Sequence, residues 1–179
     1  LNNVEKYFNN PSLVSNSSFF LPYLSGERTP HNDPHIRGSF HAMKTTTDAT
    51  NMQYAVIEGV SFGILDGVNS ILKVNDNFDK VFMVGGGSRS SFWIELIASL
   101  LERNLSVCDQ SEYGAALGVA RLAMHVDKNI QEQNNIIKEI KISKEYKPQF
   151  DSIDLLKKRY KIWKDLYSSN KKIAPTLLA

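Results

Sequence analysis

The chain has 179 residues, of which 42% are hydrophobic and 22% charged, with a net charge of +2. This suits one domain with terminal appendages and material for a core, and it gives no electrostatic footprint for nucleic acid. The single cysteine, Cys108, excludes an internal disulfide, no Cys and His set has zinc spacing, and no apolar run approaches the ~20 residues that cross a bilayer.

Residues 1–18 are rich in Asn and Ser, with Pro11, and read as a loose lead-in that holds a partial helix. No basic segment followed by an apolar core stands at Leu1–Glu5, and the first residue is not Met, so a soluble cytoplasmic protein lacking its true start is the expectation. Phe19-Phe20-Leu21 reads as a short strand stopped by Pro22. From Ser25 to Gly38 nearly every position carries turn chemistry, including Gly26, Pro30, Asn32, Asp33 and Pro34, which predicts a long ordered loop.

Thr45 to Asp48 supply capping side chains for a helix over about 49–73. Met52, Val56, Val60, Ile64, Val68 and Leu72 recur every four residues and mark the expected apolar stripe. Gly59, Gly63 and Gly67 share a neighbouring face, and glycine costs about 1 kcal/mol against alanine in a helix, so another backbone should pack close. Glu58 and Asp66 flank these glycines and argue against a membrane helix.

Lys80 to Val84 is a continuous apolar run, expected as a strand covered on both faces. A glycine turn follows, then a helix over about 91–102 with Phe92, Leu96, Ile97, Leu100 and Leu101 inward. Leu105 to Cys108 predicts another strand, with a buried thiol, and Gly114 to His125 a small-residue helix. Strand, helix, strand, helix in that order predicts an α/β sheet with parallel neighbours. Residues 127–148 are polar and basic, anchored by Ile136, Ile137, Ile140 and Ile142. A last helix over about 152–168 places Ile153, Leu156, Tyr160, Trp163 and Tyr167 on a core face, while Lys157, Lys158, Arg159, Lys161 and Lys164 suggest a solvated one. The tail from Asn170 should fray.

The chemistry concentrates at Gly85-Gly86-Gly87-Ser88-Arg89-Ser90. Three glycines after a strand permit positive φ and remove Cβ atoms that would stand between backbone and ligand. The helix that follows offers unpaired N–H groups and a positive dipole end, which attract phosphate. Arg89 adds a cation, and Ser88 and Ser90 can cap the helix or bond a ligand. A plain strand-to-helix turn needs fewer glycines. A dinucleotide fingerprint is also in view, since Gly85-x-Gly87 is followed by Asp109, but its third glycine position is Ser90. No Gly-Lys-Ser/Thr follows, so the turn is not a P-loop. Residue chemistry leaves a nucleotide site of undecided type.

The run Leu21-Pro22-Tyr23-Leu24-Ser25-Gly26-Glu27-Arg28-Thr29-Pro30-His31-Asn32-Asp33-Pro34, with Arg37-Gly38, resembles the signature loop of xylulokinases within the FGGY carbohydrate kinases. The helix at Ala55–Phe62, the Gly85–Ser90 turn with Phe92-Trp93, the Gly114–Arg121 segment and Tyr146-x-Pro148 match in the same order. The resemblance implies the C-terminal domain of a sugar kinase with the actin-like ATPase, ribonuclease H-like fold. Its expected organisation is an incomplete lead-in at 1–18, a nucleotide-binding core at 19–126, a helical extension at 127–169 and a tail at 170–179.

It further implies ATP or ADP against Gly85, Gly86, Gly87, Ser88, Arg89 and Ser90, with Mg²⁺ in the complete enzyme and D-xylulose as the sugar; another sugar or polyol kinase of the family, or a module that binds nucleotide without catalysis, stays open. Gly26, Glu27, Arg28 and Thr29 would face the cleft between two domains. The family's catalytic aspartate, its sugar site and its Gly-Thr-Ser loop match nothing in this chain, so no catalytic or metal role falls to Asp33, Asp48, Asp66, Asp79 or Asp109. The sugar is therefore expected to enter through an N-terminal domain outside the chain, and exposed apolar surface allows a homo-oligomer. No nucleic-acid or membrane partner is expected.

Overall fold

The computed structural model describes residues 4–74, 78, 80–126, 128 and 141–173. Two short helices, α1 (Glu5–Phe8) and α2 (Pro11–Ser15), precede β1 (Phe19–Leu21), which pairs antiparallel with β2 (Ser39–His41). The lead-in is not loose: Val4, Tyr7 and Val14 are buried in the main core, and Asn10 caps α2. Between β1 and β2, the loop is held by paired backbone bonds between Glu27 and Asp33, while Ile36 is fully buried.

Helix α3 (Ala49–Leu72) starts where Asp48 accepts the Asn51 N–H at 2.7 Å. Its length and composition are those of a helix that could cross a bilayer, which corrects the expectation that no run does. It lies instead in the core, against β1, α4 and α6, and buries Tyr54, Ala55, Glu58, Phe62 and Asp66. The expected stripe from Met52 to Leu72 is only half-buried, because the inward face includes two carboxylates that have partners. Close backbone approach occurs at one of the three glycines. A Cβ on Gly59 would stand 2.2 Å from the Phe20 carbonyl oxygen, whereas Gly67 meets nothing within 4 Å.

Strand β3 (Val81–Met83), helix α4 (Ser91–Leu101) and strand β4 (Leu105–Cys108) form the expected parallel unit. Strand β5 (Ile142–Tyr146) adds antiparallel to β4, giving the order β3-β4-β5. Being an edge, β3 is half-buried rather than covered on both faces, and Cys108 is also half-buried, its thiol pushed up by burial and then by Asp109. Helix α5 (Gly114–Met124) buries none of its residues.

Helix α6 (Phe150–Ile173) outruns its expected end and belongs to the core rather than to an extension, with Leu156 and Trp163 fully buried. Its basic residues are exposed except Arg159, which is buried. Arg159 grips Glu58 through two charge-assisted bonds of 2.7 and 2.6 Å and also donates to the carbonyls of Ser17 and Ser18. Asn170, expected to fray, is buried and donates to the Arg37 carbonyl at 2.9 Å. The anchors Ile136, Ile137 and Ile140 lie outside the described residues, as does Asp79.

Candidate functional site

The end of β3 delivers the glycine turn. Gly85 has φ +83° and ψ −171°, a conformation almost confined to glycine, and its N–H donates to the Ser111 carbonyl at 2.8 Å. A 3-10 turn over Gly86–Arg89 follows, closed by the Ser88 N–H on the Gly85 carbonyl. The N–H groups of Gly86 and Gly87 precede that first turn bond. An added Cβ at Gly86 would meet nothing within 4 Å, so this backbone faces open space.

The six predicted residues divide by what they touch. Gly87 is needed for packing, because a Cβ there would lie 2.8 Å from the Trp93 ring and 2.9 Å from the Met83 methyl. Ser88 is buried and turned inward: it donates to the Gly85 carbonyl at 2.7 Å and accepts from the Ser111 hydroxyl at 2.8 Å. Ser90 caps α4, accepting from the Trp93 N–H at 3.4 Å. Arg89 is 68% exposed and 3.9 Å from Glu112, a pair that leaves the guanidinium free to move to an anion. Gly86 and Gly87 thus present backbone N–H groups, Arg89 presents charge, and Gly85 and Ser88 hold the turn from behind.

A cleft of about 510 Å³ runs along this surface, lined by Gly86, Gly87, Arg89, Ser90, Ser91, Trp93 and, from α1, Glu5. Sequence reasoning missed Ser111 as the partner of the turn; it sits just beyond β4, where a parallel neighbour brings its first loop alongside that of β3. It also missed Glu5, for which the local pattern carries no signal. Asp109 is exposed at the end of β4 and does not line the cleft.

The signature loop lies apart from the glycine turn. Gly26 has φ +87°, and a Cβ there would press on Pro34 at 2.9 Å. Glu27 accepts from the Thr29 N–H at 3.1 Å, and the Arg28 side chain is exposed. Asp33 accepts from the N–H groups of His35 and Ile36 and from the Tyr167 hydroxyl. Burial pushes its carboxyl up, but those donors and Lys171 outweigh this and hold it below the ordinary value. His31 lies 3.2 Å from Asp66, which also accepts from Tyr160, and stacks on Tyr167. Burial, then Asp33, pushes the Tyr167 phenol up to about 12. A cleft of about 710 Å³ opens beside this cluster, with Lys73 and Lys164 at its rim. Gly26, Glu27, Arg28 and Thr29 line neither this cleft nor the one at the glycine turn.

The aspartates set aside in the sequence have structural duties: Asp33 braces the loop, Asp48 caps α3 and Asp66 ties His31 to Tyr160. Among the described residues no group of three or more His, Cys, Asp or Glu side chains forms a cation site.

A profile of the FGGY family of carbohydrate kinases, C-terminal domain, matches residues 5–126. The chain is 28% identical over 167 residues to a xylulose kinase of Staphylococcus epidermidis, covering 93% of this chain and 34% of that protein. It is 38% identical over 105 residues to a xylulose kinase of Escherichia coli, covering 59% of this chain and 22% of the relative. The solved structure of a xyloylose kinase from Brucella ovis superposes with a TM-score of 0.74 at 30% identity, over 94% of this chain and 37% of that one. The chain therefore spans about a third or less of the length of these curated relatives.

Proposed function

Since the chain belongs to the FGGY family of carbohydrate kinases, as a C-terminal domain with the actin-like ATPase fold, we propose that it forms the nucleotide-binding part of a cytoplasmic ATP-dependent kinase acting on D-xylulose. The observation that carries the reading is the open backbone of Gly86, lining with Gly87 a cleft that Arg89 also borders. In this reading the Gly86 and Gly87 N–H groups take a phosphate oxygen of ATP or ADP, Arg89 adds positive charge, and Trp93 walls the adenosine side. Ser88 and Ser111 hold the turn in the shape that keeps those donors pointing outward.

When bound, ATP with Mg²⁺ supplies the γ-phosphoryl group for the sugar 5-hydroxyl, a transfer governed by positioning and charge stabilisation. This chain's own part is to hold the nucleotide. The acid that lines the glycine cleft is Glu5, an exposed residue of α1, while Asp33, Asp48 and Asp66 are engaged elsewhere. That distribution supports a chain that turns over no sugar by itself and meets its sugar through an N-terminal domain.

The test is calorimetric titration with ADP of the wild type and of Gly86→Val. Because nothing lies within 4 Å of a Cβ at Gly86, the added side chain starts in open space on the ligand side, and the unfolding temperature serves as the control for the fold. Binding weakened roughly tenfold or more, a loss of about 1.4 kcal/mol or greater, at an unchanged unfolding temperature supports the reading. Undiminished ADP binding by Gly86→Val, or NAD binding that Asp109→Ala abolishes, would refute it.

A further inference from the structure

The cleft of about 710 Å³ between the ends of α3 and α6 has no part in the nucleotide reading. A smaller cavity shares its Asn69 and Tyr160 and reaches Glu102 and Arg103, just past the end of α4. Helix α4 starts beside the glycine turn and runs 11 residues, roughly 16 Å, to that point. The two clefts therefore lie toward opposite ends of α4. Ligands of an open α/β sheet gather at the carboxyl ends of its strands, where the glycine turn stands, so the cleft at the other end is a place of its own.

Its floor is polar and held in a frame of aromatic rings. His31 stacks on Tyr167 with 3.8 Å between ring centres, meets Tyr23 edge-on, and sets its Nε2 3.2 Å from Asp66. Asp66 is the one carboxylate that lines the cleft, and it also accepts from the Tyr160 hydroxyl. A carboxylate offers about four acceptor positions, so Asp66 retains capacity for a ligand hydroxyl. Asn69 donates to the Tyr160 hydroxyl at 3.2 Å, and its side-chain carbonyl has no hydrogen-bond partner among the described residues. At the rim the charge has the other sign. Lys73 and Lys164 are exposed, and among the described residues neither pairs with a carboxylate; the Lys164 ammonium lies 4.7 Å from the Tyr160 ring.

Acceptors on the floor and two unpaired ammonium groups at the mouth suit a ligand with hydroxyls at one end and a dianion at the other. The volume falls within the roughly 300–1,000 Å³ of small-molecule sites, which are fixed by a few convergent polar groups. We infer that this cleft binds a small phosphorylated polyol, with its hydroxyls on Asp66 and Asn69 and its phosphate between Lys73 and Lys164. Lysine meets phosphate as a point charge on a flexible stem, so the two ammonium groups can close on it from α3 and α6. A neutral sugar leaves both lysines without a counter-charge, and bare phosphate brings no hydroxyls to Asp66 and Asn69. None of these residues belongs to the glycine turn, and the inference stands independently of the kinase reading.

The experiment follows amide resonances of the full 179-residue chain through separate titrations with ribose 5-phosphate, ribose and inorganic phosphate. Ribose 5-phosphate is expected to shift His31, Asn69, Ser70 and Lys164 together and to saturate, and each of the other two probes to bind about tenfold more weakly or worse, having lost one set of charge-assisted or hydroxyl contacts. The double variant Lys73→Gln/Lys164→Gln, at two exposed positions, keeps the unfolding temperature and weakens ribose 5-phosphate binding about tenfold or more. Lys158→Gln, exposed on α6 and outside the cleft, leaves binding unchanged. No shift at the cleft, or equal weakening by Lys158→Gln, overturns the inference. Inorganic phosphate or ribose binding as tightly as ribose 5-phosphate overturns it too, since one end of the ligand then does nothing. Shifts confined to Gly86 and Gly87 would assign the phosphate to the glycine turn, which overturns this site and leaves the kinase reading standing.

Discussion

Removing Arg159 leaves a carboxylate stranded in the core. Glu58 is 1% exposed and Arg159 4%, joined by bonds of 2.7 and 2.6 Å, with the guanidinium also serving the Ser17 and Ser18 carbonyls and lying over the Phe19 ring. Burial pushes the Glu58 carboxyl up, and Arg159 opposes that shift by charge and by hydrogen bonding. Arg159→Met keeps most of the side-chain volume and discards the charge, so breaking this buried pair costs about 3–5 kcal/mol at neutral pH. For a chain of this size that lowers the unfolding temperature by roughly 6–20 °C, at about 2–4 °C per kcal/mol.

The sign of the pH dependence follows from the raised carboxyl. In the variant, the folded-state pKa rises further above the unfolded value near 4.3, so the deficit is largest at neutral pH and shrinks as the pH falls toward that value and Glu58 takes up a proton. Scanning calorimetry of wild type, Arg159→Met and Glu58→Met/Arg159→Met between pH 4.5 and 7.5 provides the assay. Replacing both partners recovers at least about half of the loss, because no uncompensated charge remains. A single variant that loses under about 1 kcal/mol, or a double variant no better than the single one, would refute the reasoning.

Gly59→Ala destabilises by about 1–3 kcal/mol through overpacking on the Phe20 carbonyl, outweighing the gain in helix propensity. Gly67→Ala, with nothing within 4 Å, stabilises by up to about 1 kcal/mol; urea unfolding of the two variants checks both signs. Ser111→Ala removes the hydroxyl behind Ser88 while keeping the carbonyl that receives the Gly85 N–H, and it weakens ADP binding several-fold, on the scale of one hydrogen bond of about 1 kcal/mol. Equal ADP affinity in Ser111→Ala would remove Ser111 from the support of the turn.

What could be read in advance was local. The glycine turn, the α4 cap at Ser90 and the aromatic face of α6 follow from residue spacing and backbone freedom within a few turns of chain. What escaped was pairing across distance. Arg159 sits among lysines and reads as solvated, and Glu58, 101 residues away, together with the Ser17 and Ser18 carbonyls, brings it inside. The same partnership turns the inward face of α3 away from its most regular apolar stripe, since a satisfied carboxylate can be buried where an unpaired one cannot. β5 went unseen because Ser143, Lys144 and Glu145 stay exposed and the strand exists by pairing with β4. Within the site, Ser88 reads as a ligand contact until Ser111 is seen behind it.

The central claim is that the bare amides of Gly86 and Gly87 receive a nucleotide. Amide resonances of the isotope-labelled chain, followed through an ADP titration, test it most directly. The account predicts that the largest shifts fall on Gly85, Gly86, Gly87 and Arg89 and saturate together. Shifts that instead gather around His31, Asn69 and Lys164, beside the larger cleft, with the glycine amides unmoved, would contradict it.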